Sequence, residues 1–242
     1  MAGPFLIFGA VGGIGEALAR NLTAAGHPVF LTSRNESALL KLGEKLSSPA
    51  LAADVLDEAA LEAVVGEAAK AGELSGLAYC VGSIVLKPLR QVTATQMAEA
   101  FALNVTGGAM AVKFAAPALK VGKGSVVLFS SIAARRGFAN HAIIGAAKAG
   151  IEGLTVSLAA ELAPEIRVNC IAPSLTDTPL AKSMTSNPAM ADAIAKMHPI
   201  PRLGAADDHA AVAAFLMSDA AGWITGQIFR VDGGRSSISG KG

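Results

Sequence analysis

The chain has 242 residues, 52% of them hydrophobic and 16% charged, which is too apolar a composition for a disordered protein. Its 20 Lys and Arg residues nearly balance its 19 Asp and Glu residues, and no basic run is present that could follow a nucleic-acid backbone. We therefore predict a single globular domain over residues 1–242 that has no nucleic-acid partner.

The cysteines and the apolar segments exclude further classes of protein. Cys80 and Cys170 form no CxxC or Cys/His cluster, so we predict no metal site and two buried thiols in a reducing cytoplasm. The uncharged run over residues 100–112 contains Asn104 and two glycines, whereas a spanning helix needs about 20 apolar residues. The N-terminus has no basic region before its apolar stretch. We expect a cytoplasmic protein that binds no membrane.

Short apolar runs alternate with longer segments of helical periodicity along the whole chain. The predicted strands cover residues 5–8, 29–32, 50–53, 76–80, 125–130, 167–171 and 227–231. The predicted helices cover residues 14–25, 37–46, 57–71, 95–119, 142–162 and 206–218, with Asp57 and Thr95 as N-caps. Because parallel strands joined by helices cross over right-handedly, this pattern predicts an α/β Rossmann fold. We expect a three-layer, doubly wound parallel sheet of about seven strands with helices on both faces.

Two segments stand apart from this alternation. Residues 178–201 combine prolines with methionine-bearing apolar patches, and they follow the sixth predicted strand. Ligands bind at the carboxyl ends of the strands in such sheets, so we predict a mobile substrate lid here; a plain surface excursion is the alternative. The small, polar tail over residues 233–242 is expected to fray or to dock against another subunit.

A glycine-rich segment, GAVGGIG over residues 9–15, joins the first predicted strand to the first predicted helix. Glycine lets the backbone approach a pyrophosphate closely, and the helix N-terminus offers unpaired N–H groups to negative charge. A glycine-rich turn alone is weak evidence, because many such turns bind nothing. This one opens the first β-α-β unit, a position that predicts dinucleotide binding.

The second predicted strand leads into Ser33 and Arg34, where the adenosine ribose of a dinucleotide would lie. A carboxylate at this place would accept from the 2′-hydroxyl of NAD, whereas arginine can pair with a 2′-phosphate. The sequence therefore favours NADP(H) over NAD(H). A solvated Arg34 without a ligand is the alternative.

These motifs and several others, in the same order, resemble the short-chain dehydrogenase/reductase family over nearly the whole chain. Gly9, Gly13 and Gly15 match the family's TGxxxGxG turn, and Asp54 matches the acid that contacts adenine. The segment over residues 79–82 takes the place of the family's NNAG but keeps only the glycine. Together with the ribose argument, the resemblance implies these cofactor-binding residues: Gly9, Val11, Gly13, Ile14, Gly15, Ser33, Arg34, Asp54, Val55, Cys80, Val81, Gly82, Asn104, Lys148, Pro173, Ser174, Thr176 and Thr178.

The same resemblance implies an active site with one departure. Asn104, Ser131 and Lys148 match three of the family's four active-site residues, but Ile144 stands where the family has its tyrosine. In the family this tyrosine protonates the carbonyl oxygen, and isoleucine cannot donate a proton. The only tyrosine of this chain, Tyr79, falls at a predicted strand end.

His141 is the candidate replacement for the missing proton donor. It lies seven residues before Lys148, the place of the tyrosine in the family's enoyl reductase branch, and histidine can donate at neutral pH. A solvated loop histidine is the alternative. The predicted catalytic residues are thus Asn104, Ser131, Lys148 and His141, and the predicted substrate contacts are Ser131, His141 and Ile144.

Two functions follow from this site. The first is an atypical NADPH-dependent oxidoreductase that transfers hydride to a carbonyl or activated alkene of a small apolar substrate. The alternative is an NADP(H)-binding protein that has lost turnover and acts as a redox sensor or structural subunit; an isoleucine introduced into an active reductase also stays open. The resemblance further implies a homodimer or homotetramer that packs the helices over residues 95–119 and 142–162 against their copies.

Overall fold

A computed structural model describes residues 3–70 and 72–239 and contains a parallel seven-stranded sheet. The strand order is β3-β2-β1-β4-β5-β6-β7, so the connection reverses direction between β1 and β4, where α/β sheets open a crevice for ligands. The strands are β1 (Phe5–Phe8), β2 (Val29–Ser33), β3 (Ala50–Ala52), β4 (Gly76–Tyr79), β5 (Ser125–Phe129), β6 (Arg167–Pro173) and β7 (Ile228–Val231). The predicted Rossmann fold is confirmed.

Helices cover both faces of this sheet. They are α1 (Gly13–Ala24), α2 (Glu36–Leu46), α3 (Glu58–Ala68), α4 (Ala94–Phe101), α5 (Gly107–Val121), α6 (Ala142–Leu162), α7 (Lys182–Thr185), α8 (Pro188–Ala195) and α9 (Ala206–Met217). One apolar cluster joins α1, α2 and α9 to the sheet, and the other joins α3, α5 and α6 to its opposite face. Strands buried on both faces explain why their sequences are almost continuously apolar.

The long helix predicted over residues 95–119 is corrected in two respects. It consists of α4 and α5 joined by a π-helical turn, Ala102–Thr106, which contains the buried Asn104. The N-cap is Thr93 rather than Thr95, because Thr93 Oγ1 accepts from the Gln96 N–H at 3.2 Å and the Gln96 side chain accepts from the Thr93 N–H at 3.3 Å. The predicted Asp57 cap is confirmed, since its carboxylate accepts from two N–H groups of α3.

The start of helix α6 and the segment after β6 lie at the carboxyl ends of the strands. Within the described residues, α6 is long and apolar enough to cross a membrane by length and composition, and its Ile151 and Ala159 lie in the apolar cluster under the sheet. Residues 178–201 form a 3₁₀ turn, α7 and α8. Leu180, Met184 and Ile194 of this segment face a cavity at the carboxyl ends of the strands. The mobility of the segment stays a prediction.

Candidate active site

The turn between β1 and α1 is built from glycines that no other residue could replace without moving the chain. Gly9 has a φ of +75°, in the left-handed region, and its carbonyl accepts from the Gly12 N–H at 2.9 Å. A Cβ on Gly15 would lie 2.3 Å from that same carbonyl oxygen. A Cβ on Gly13 would lie 2.7 Å from Thr178 Cγ2. The turn therefore packs backbone against backbone and against the segment after β6.

This turn leaves the start of α1 open to an anion. Gly12 is the N-cap and no side chain hydrogen-bonds the first-turn N–H groups of the helix. The N-terminal end of a helix favours negative charge, and the first turn, including Ile14, borders the cavity. Val11 is half-buried beside the same turn. The predicted phosphate-binding residues Gly9, Val11, Gly13, Ile14 and Gly15 thus share one strand-to-helix turn.

The predicted adenosine end lies where β2 and β3 finish. Arg34 directly follows β2, its side chain is 65% exposed, and Nη1 lies 4.0 Å from Asp54 Oδ2. Asp54 Oδ1 also accepts from the Leu56 N–H at 3.0 Å, whereas Val55 is buried and Ser33 is half-buried. An exposed ion pair this long holds Arg34 only weakly, so the guanidinium is free to meet a phosphate.

A cavity of about 280 Å³ opens at the carboxyl ends of β4, β5 and β6. It brings together most of the residues predicted for the nicotinamide end and the substrate. These are Ile14, Cys80, Val81, Gly82, Ser131, His141, Ile144, Lys148, Pro173, Ser174, Thr176 and Thr178. Residues separated by up to 164 positions therefore converge on one site, because the carboxyl ends of parallel strands share an edge of the sheet.

Lys148 is the buried cation of this cavity. Its Nζ donates to the Phe129 carbonyl at 2.8 Å, and only 7% of the residue is exposed. Burial penalises the charged form and lowers the pKa of Lys148 to about 8. A Cβ on Gly82 would lie 3.1 Å from Nζ, so the glycine is what lets the lysine reach the end of β4. Lys148 is therefore a buried residue of the cavity and not a surface lysine.

Asn104 approaches the same glycine from the π-helical turn. Its Nδ2 donates to the Ala100 carbonyl at 2.9 Å and to Ser83 Oγ at 3.2 Å. Its Oδ1 would lie 3.2 Å from a Cβ on Gly82, and this buried oxygen has no hydrogen-bond partner among the described residues. An unsatisfied buried acceptor costs stability unless a donor such as water or a ligand hydroxyl reaches it.

Ser131 lies at the cavity wall directly after β5. Its Oγ accepts from the Ala133 N–H at 3.2 Å, which leaves the hydroxyl hydrogen available for a ligand oxygen. The loop that follows is anchored by the buried carboxylate of Glu152, which accepts from Arg135 Nε at 2.6 Å and lies 3.2 Å from Ser130 Oγ. This network fixes the end of β5 and so the place of Ser131.

His141 and Ile144 lie on the same side of the cavity, at and just after the start of α6. His141 Nδ1 lies 2.7 Å from the Ala139 carbonyl, which can only accept, so Nδ1 carries a hydrogen. Nε2 then accepts when the ring is neutral and donates only when the ring is charged. Ile144 is 5% exposed and presents an apolar surface.

Tyr79 ends strand β4, as predicted, whereas the neighbouring Cys80 differs from the prediction. Cys80 is half-buried and lines the cavity, which corrects the prediction of two buried thiols; only Cys170 is fully buried. Burial raises the pKa of the Cys80 thiol to about 12. Tyr79 points away from the cavity into the apolar cluster, donates to the Leu103 carbonyl at 2.7 Å, and has its pKa raised by burial. Tyr79 therefore cannot act as the proton donor of this cavity.

Phe138 and Arg235 are among the residues of the cavity wall that were not predicted from the sequence. Arg235 belongs to the tail over residues 233–242, which was expected to fray or to dock on another subunit. Residues 233–239 instead turn back onto the site, held by Asp232, which accepts from the Gly234 and Ser236 N–H groups at 2.9 Å. Residues 240–242 lie outside the described part of the chain.

The two histidines after β6 have structural partners, as expected for residues without a catalytic role. His198 is buried and its Nε2 lies 2.8 Å from Ser174 Oγ. His209 is buried behind Thr176, with 2.7 Å between Nε2 and Oγ1, and burial lowers its pKa to about 4. Among the described residues, no group of His, Cys, Asp and Glu could hold a metal ion.

Known proteins that resemble this chain identify its family. The profile of the family described as "Enoyl-(Acyl carrier protein) reductase" matches residues 9–236. The dehydrogenase/reductase SDR family member 4 of Rattus norvegicus is 34% identical over 243 residues, which cover 96% of this chain and 86% of that protein. A short-chain type dehydrogenase/reductase from Mycobacterium ulcerans has a TM-score of 0.92 at 31% identity, covering 99% of this chain and 93% of that chain.

A further solved structure, ElxO with NADP bound, has a TM-score of 0.90 at 28% identity and covers 98% of this chain and 100% of that chain. The solved structures share the fold of this chain over nearly its whole length. The chain belongs to the short-chain dehydrogenase/reductase family of oxidoreductases.

Proposed function

We propose that this protein is an NADPH-dependent oxidoreductase that reduces a carbonyl or an activated alkene of a small, largely apolar substrate. The observation that carries the proposal is the convergence on Gly82 of Lys148 Nζ and of Asn104 Oδ1, which has no hydrogen-bond partner among the described residues. Gly82, Lys148 and Ser131 line the same cavity. A buried lysine and an unsatisfied amide oxygen both cost stability, and a bound ribose with its water would offset that cost. NADPH, when bound, would supply the hydride.

The residues fit this cofactor along the whole cleft. The open start of α1 suits the diphosphate, and the weakly held Arg34 suits a 2′-phosphate better than a 2′-hydroxyl. Lys148 would donate to the hydroxyls of the nicotinamide ribose, and Thr178, packed on Gly13, would lie beside the diphosphate. ElxO, whose structure holds NADP, supports the choice of the phosphorylated dinucleotide.

The proton that balances hydride transfer has to come from a group other than residue 144. Ser131 would donate its hydroxyl hydrogen to the substrate oxygen, and His141 would donate from Nε2 in its charged form. An enolate left by reduction of an activated alkene can also take its proton from water. In this proposal Ser131 binds the substrate oxygen, and His141 or water supplies the proton.

The test measures NADPH consumption by the purified protein over a panel of ketones, aldehydes and activated alkenes, with cofactor binding followed by fluorescence in the same sample. Turnover on at least one member, lost in Lys148→Ala, supports the proposal. His141→Asn keeps a donor to the Ala139 carbonyl and removes Nε2, so slower turnover at unchanged NADPH affinity would assign the proton to His141. Tight NADPH binding without consumption of any member would overturn the proposal.

One observation favours a second function, an NADP(H)-binding protein without turnover. Ile144 fills the wall of the cavity at the place where the family has its proton donor, and the neutral form of His141 cannot donate from Nε2. Such a protein would act as a redox sensor or a structural subunit. A melting temperature that rises when NADPH is added, in a sample that reduces no member of the substrate panel, would support this second function.

We further propose that the protein is cytoplasmic and self-associates through α4, α5 and α6. Exposed apolar side chains on these helices, Phe101, Val121 and Val156, would be covered by a second copy. Gly153 on α6, where an added Cβ would meet nothing within 4 Å, would permit close approach of a second helix, whereas Gly150 packs against Val105 and Phe101 of the same chain. Size-exclusion chromatography with light scattering should return a dimer or tetramer at micromolar concentration, and a monomer would contradict the proposal.

A further inference from the structure

The charges that line the substrate cavity are of one sign. Lys148 and Arg235 both face it, and among the described residues no aspartate or glutamate does. Lys148 is already assigned to the cofactor ribose in the proposed function. Arg235 has no such assignment, and the remainder of the wall is mostly apolar. The proposed contact with the cofactor therefore explains Lys148 and leaves Arg235 unexplained.

The guanidinium of Arg235 has weak partners. Its Nη1 lies 3.4 Å from Ser174 Oγ and its Nη2 lies 3.4 Å from Met197 Sδ. Its Nε is buried and has no hydrogen-bond partner within the described chain, and no ion pair found there includes Arg235. The nearby carboxylate of Asp232 is occupied by Gly234 and Ser236. A guanidinium in this state has donors left for a ligand.

Neighbouring side chains fix the direction of Arg235. His198 Nδ1 lies 2.9 Å from the Ile194 carbonyl, which can only accept, so the neutral ring has its acceptor at Nε2, 2.8 Å from Ser174 Oγ. Ser174 donates its hydrogen to that nitrogen and accepts from Arg235. The Arg235 guanidinium also lies 5.2 Å from the Phe138 ring centre. Ser174 thus acts as a positioning residue for the arginine.

A second arginine increases the positive potential at this point. Arg136 donates to the Arg235 carbonyl and places its guanidinium 5.7 Å from the same Phe138 ring. Burial and the charge of Arg136 lower the pKa of Arg235, and the opposite charge of Asp232 offsets this only in part. The charged form of Arg235 is therefore costly, and a bound anion would reduce that cost.

We propose that Arg235 binds a carboxylate of the substrate, so that the protein acts on oxo or hydroxy carboxylic acids whose apolar body fills the cavity between Arg235 and Ser131. This proposal rests on the proposed oxidoreductase function and specifies its substrate class. A guanidinium recognises a carboxylate through two parallel N–H donors, which fixes orientation as well as charge. The carboxylate at Arg235 would hold the reacting carbon near Ser131 and the nicotinamide.

Binding of the cofactor diphosphate does not explain why Arg235 faces the cavity. The residues shaped for the diphosphate are the glycine turn, the start of α1 and Thr178. Arg235 contacts Met197 and Phe138, which lie outside the predicted cofactor site, and of the predicted cofactor residues it contacts Ser174 at 3.4 Å. If Arg235 served the cofactor instead, its removal would weaken NADPH binding. The two assignments are therefore separable by one variant.

The test is a binding measurement that needs no turnover. Calorimetry on the full protein, saturated with NADP⁺, compares benzoate with benzamide, which has the same shape without the charge. We expect benzoate to bind at least about tenfold more tightly, as one or two charge-assisted hydrogen bonds imply. Arg235→Gln should abolish this preference, and Arg235→Lys should retain part of it. Arg230→Gln, an exposed arginine on β7, is the matched control and should change nothing.

Each result supports or overturns the proposal. Equal binding of the two probes, no measurable benzoate binding, or an unchanged preference in Arg235→Gln at a normal melting temperature would overturn it, as would weaker NADPH binding in that variant. Ser174→Gly, which keeps the charge and removes the positioning contact, should reduce the preference without abolishing it. A charge preference without NADPH consumption would refute the proposed function alone, whereas consumption without the preference would refute only carboxylate recognition.

Discussion

The two ends of the cleft are built from different parts of the chain. At the β1–α1 turn the backbone forms the site, because Gly9 needs its positive φ and Gly15 packs against the Gly9 carbonyl. At the carboxyl ends of β5 and β6 the site consists of side chains, and Ile144 stands among them without a polar atom. Under the proposed function, the backbone of the glycine turn would bind the diphosphate, whereas the reaction at the second end would need a proton donor. Binding and turnover should therefore respond to different substitutions.

The largest expected effect is at the side-chain end. Ile144→Tyr places a phenol in the cavity four residues before Lys148, whose charge would favour its ionised form. Turnover should rise by about 10²- to 10⁴-fold, the usual contribution of a general acid, with NADPH affinity unchanged. Ile144→Phe is the matched control, since it adds the ring without the hydroxyl. Equal rates for the two variants would show that residue 144 does not limit the chemistry.

The next effect is at the backbone end. A Cβ at residue 15 would lie 2.3 Å from the Gly9 carbonyl oxygen, so Gly15→Ala has to displace the turn. NADPH affinity should fall by about 100-fold, which corresponds to about 3 kcal/mol. Fluorescence titration measures it. Gly66→Ala in α3, where an added Cβ meets nothing within 4 Å, is the control and should bind NADPH normally. Full affinity in Gly15→Ala would contradict the backbone account.

A smaller effect sharpens the comparison within the cofactor end. Arg34→Ala removes the candidate partner of the 2′-phosphate and breaks only the long contact to Asp54. NADPH affinity should fall by about 10- to 100-fold while NADH affinity stays the same. Titrating NADPH and NADH into Arg34→Ala, the wild-type protein and the control Arg230→Ala measures both affinities. A parallel loss for NADH would remove Arg34 as the residue that selects NADP(H).

The smallest effect concerns a residue that supports the cleft without touching it. Burial lowers the pKa of His209 from 6.5 to about 4. Between pH 6.5 and pH 4 the unfolded chain therefore binds more protons than the folded protein, and the free energy of unfolding falls as the pH falls through this range. His209→Gln can keep the donor to Thr176 and cannot titrate. The wild-type protein should lose about 1 kcal/mol more than His209→Gln between pH 7 and pH 5.5 in urea unfolding. Parallel pH profiles would contradict this.

The sequence predicted the elements whose residues are constrained locally. The glycines over residues 9–15 indicate a strand-to-helix turn, because the backbone conformation and close packing of this turn exclude side chains. The seven strands follow from buried apolar runs, and Lys148 follows from its spacing in the family pattern. Thr93 was missed as N-cap because Thr95 satisfies the same preference two residues later, and only the contact to Gln96 decides between them.

Contacts between distant segments were the part that the sequence did not predict. Arg235 enters the cavity because β7 ends at the same sheet edge as β5 and β6, and the turn at Asp232 folds the tail back. The topology could have suggested that placement, although not the direction of the side chain. The pairing of Ser174 with His198 depends on the path of residues 178–201, which no local pattern specifies.

The central claim is that this cleft transfers hydride from NADPH although residue 144 cannot donate a proton. The most direct test supplies NADPH deuterated at the transferable position and searches a panel of oxo acids, neutral ketones and activated alkenes for labelled product by mass spectrometry. We expect deuterium on the reduced carbon of at least one member, with no label transferred by Lys148→Ala. Saturating NADPH binding with no labelled product from any member would contradict it.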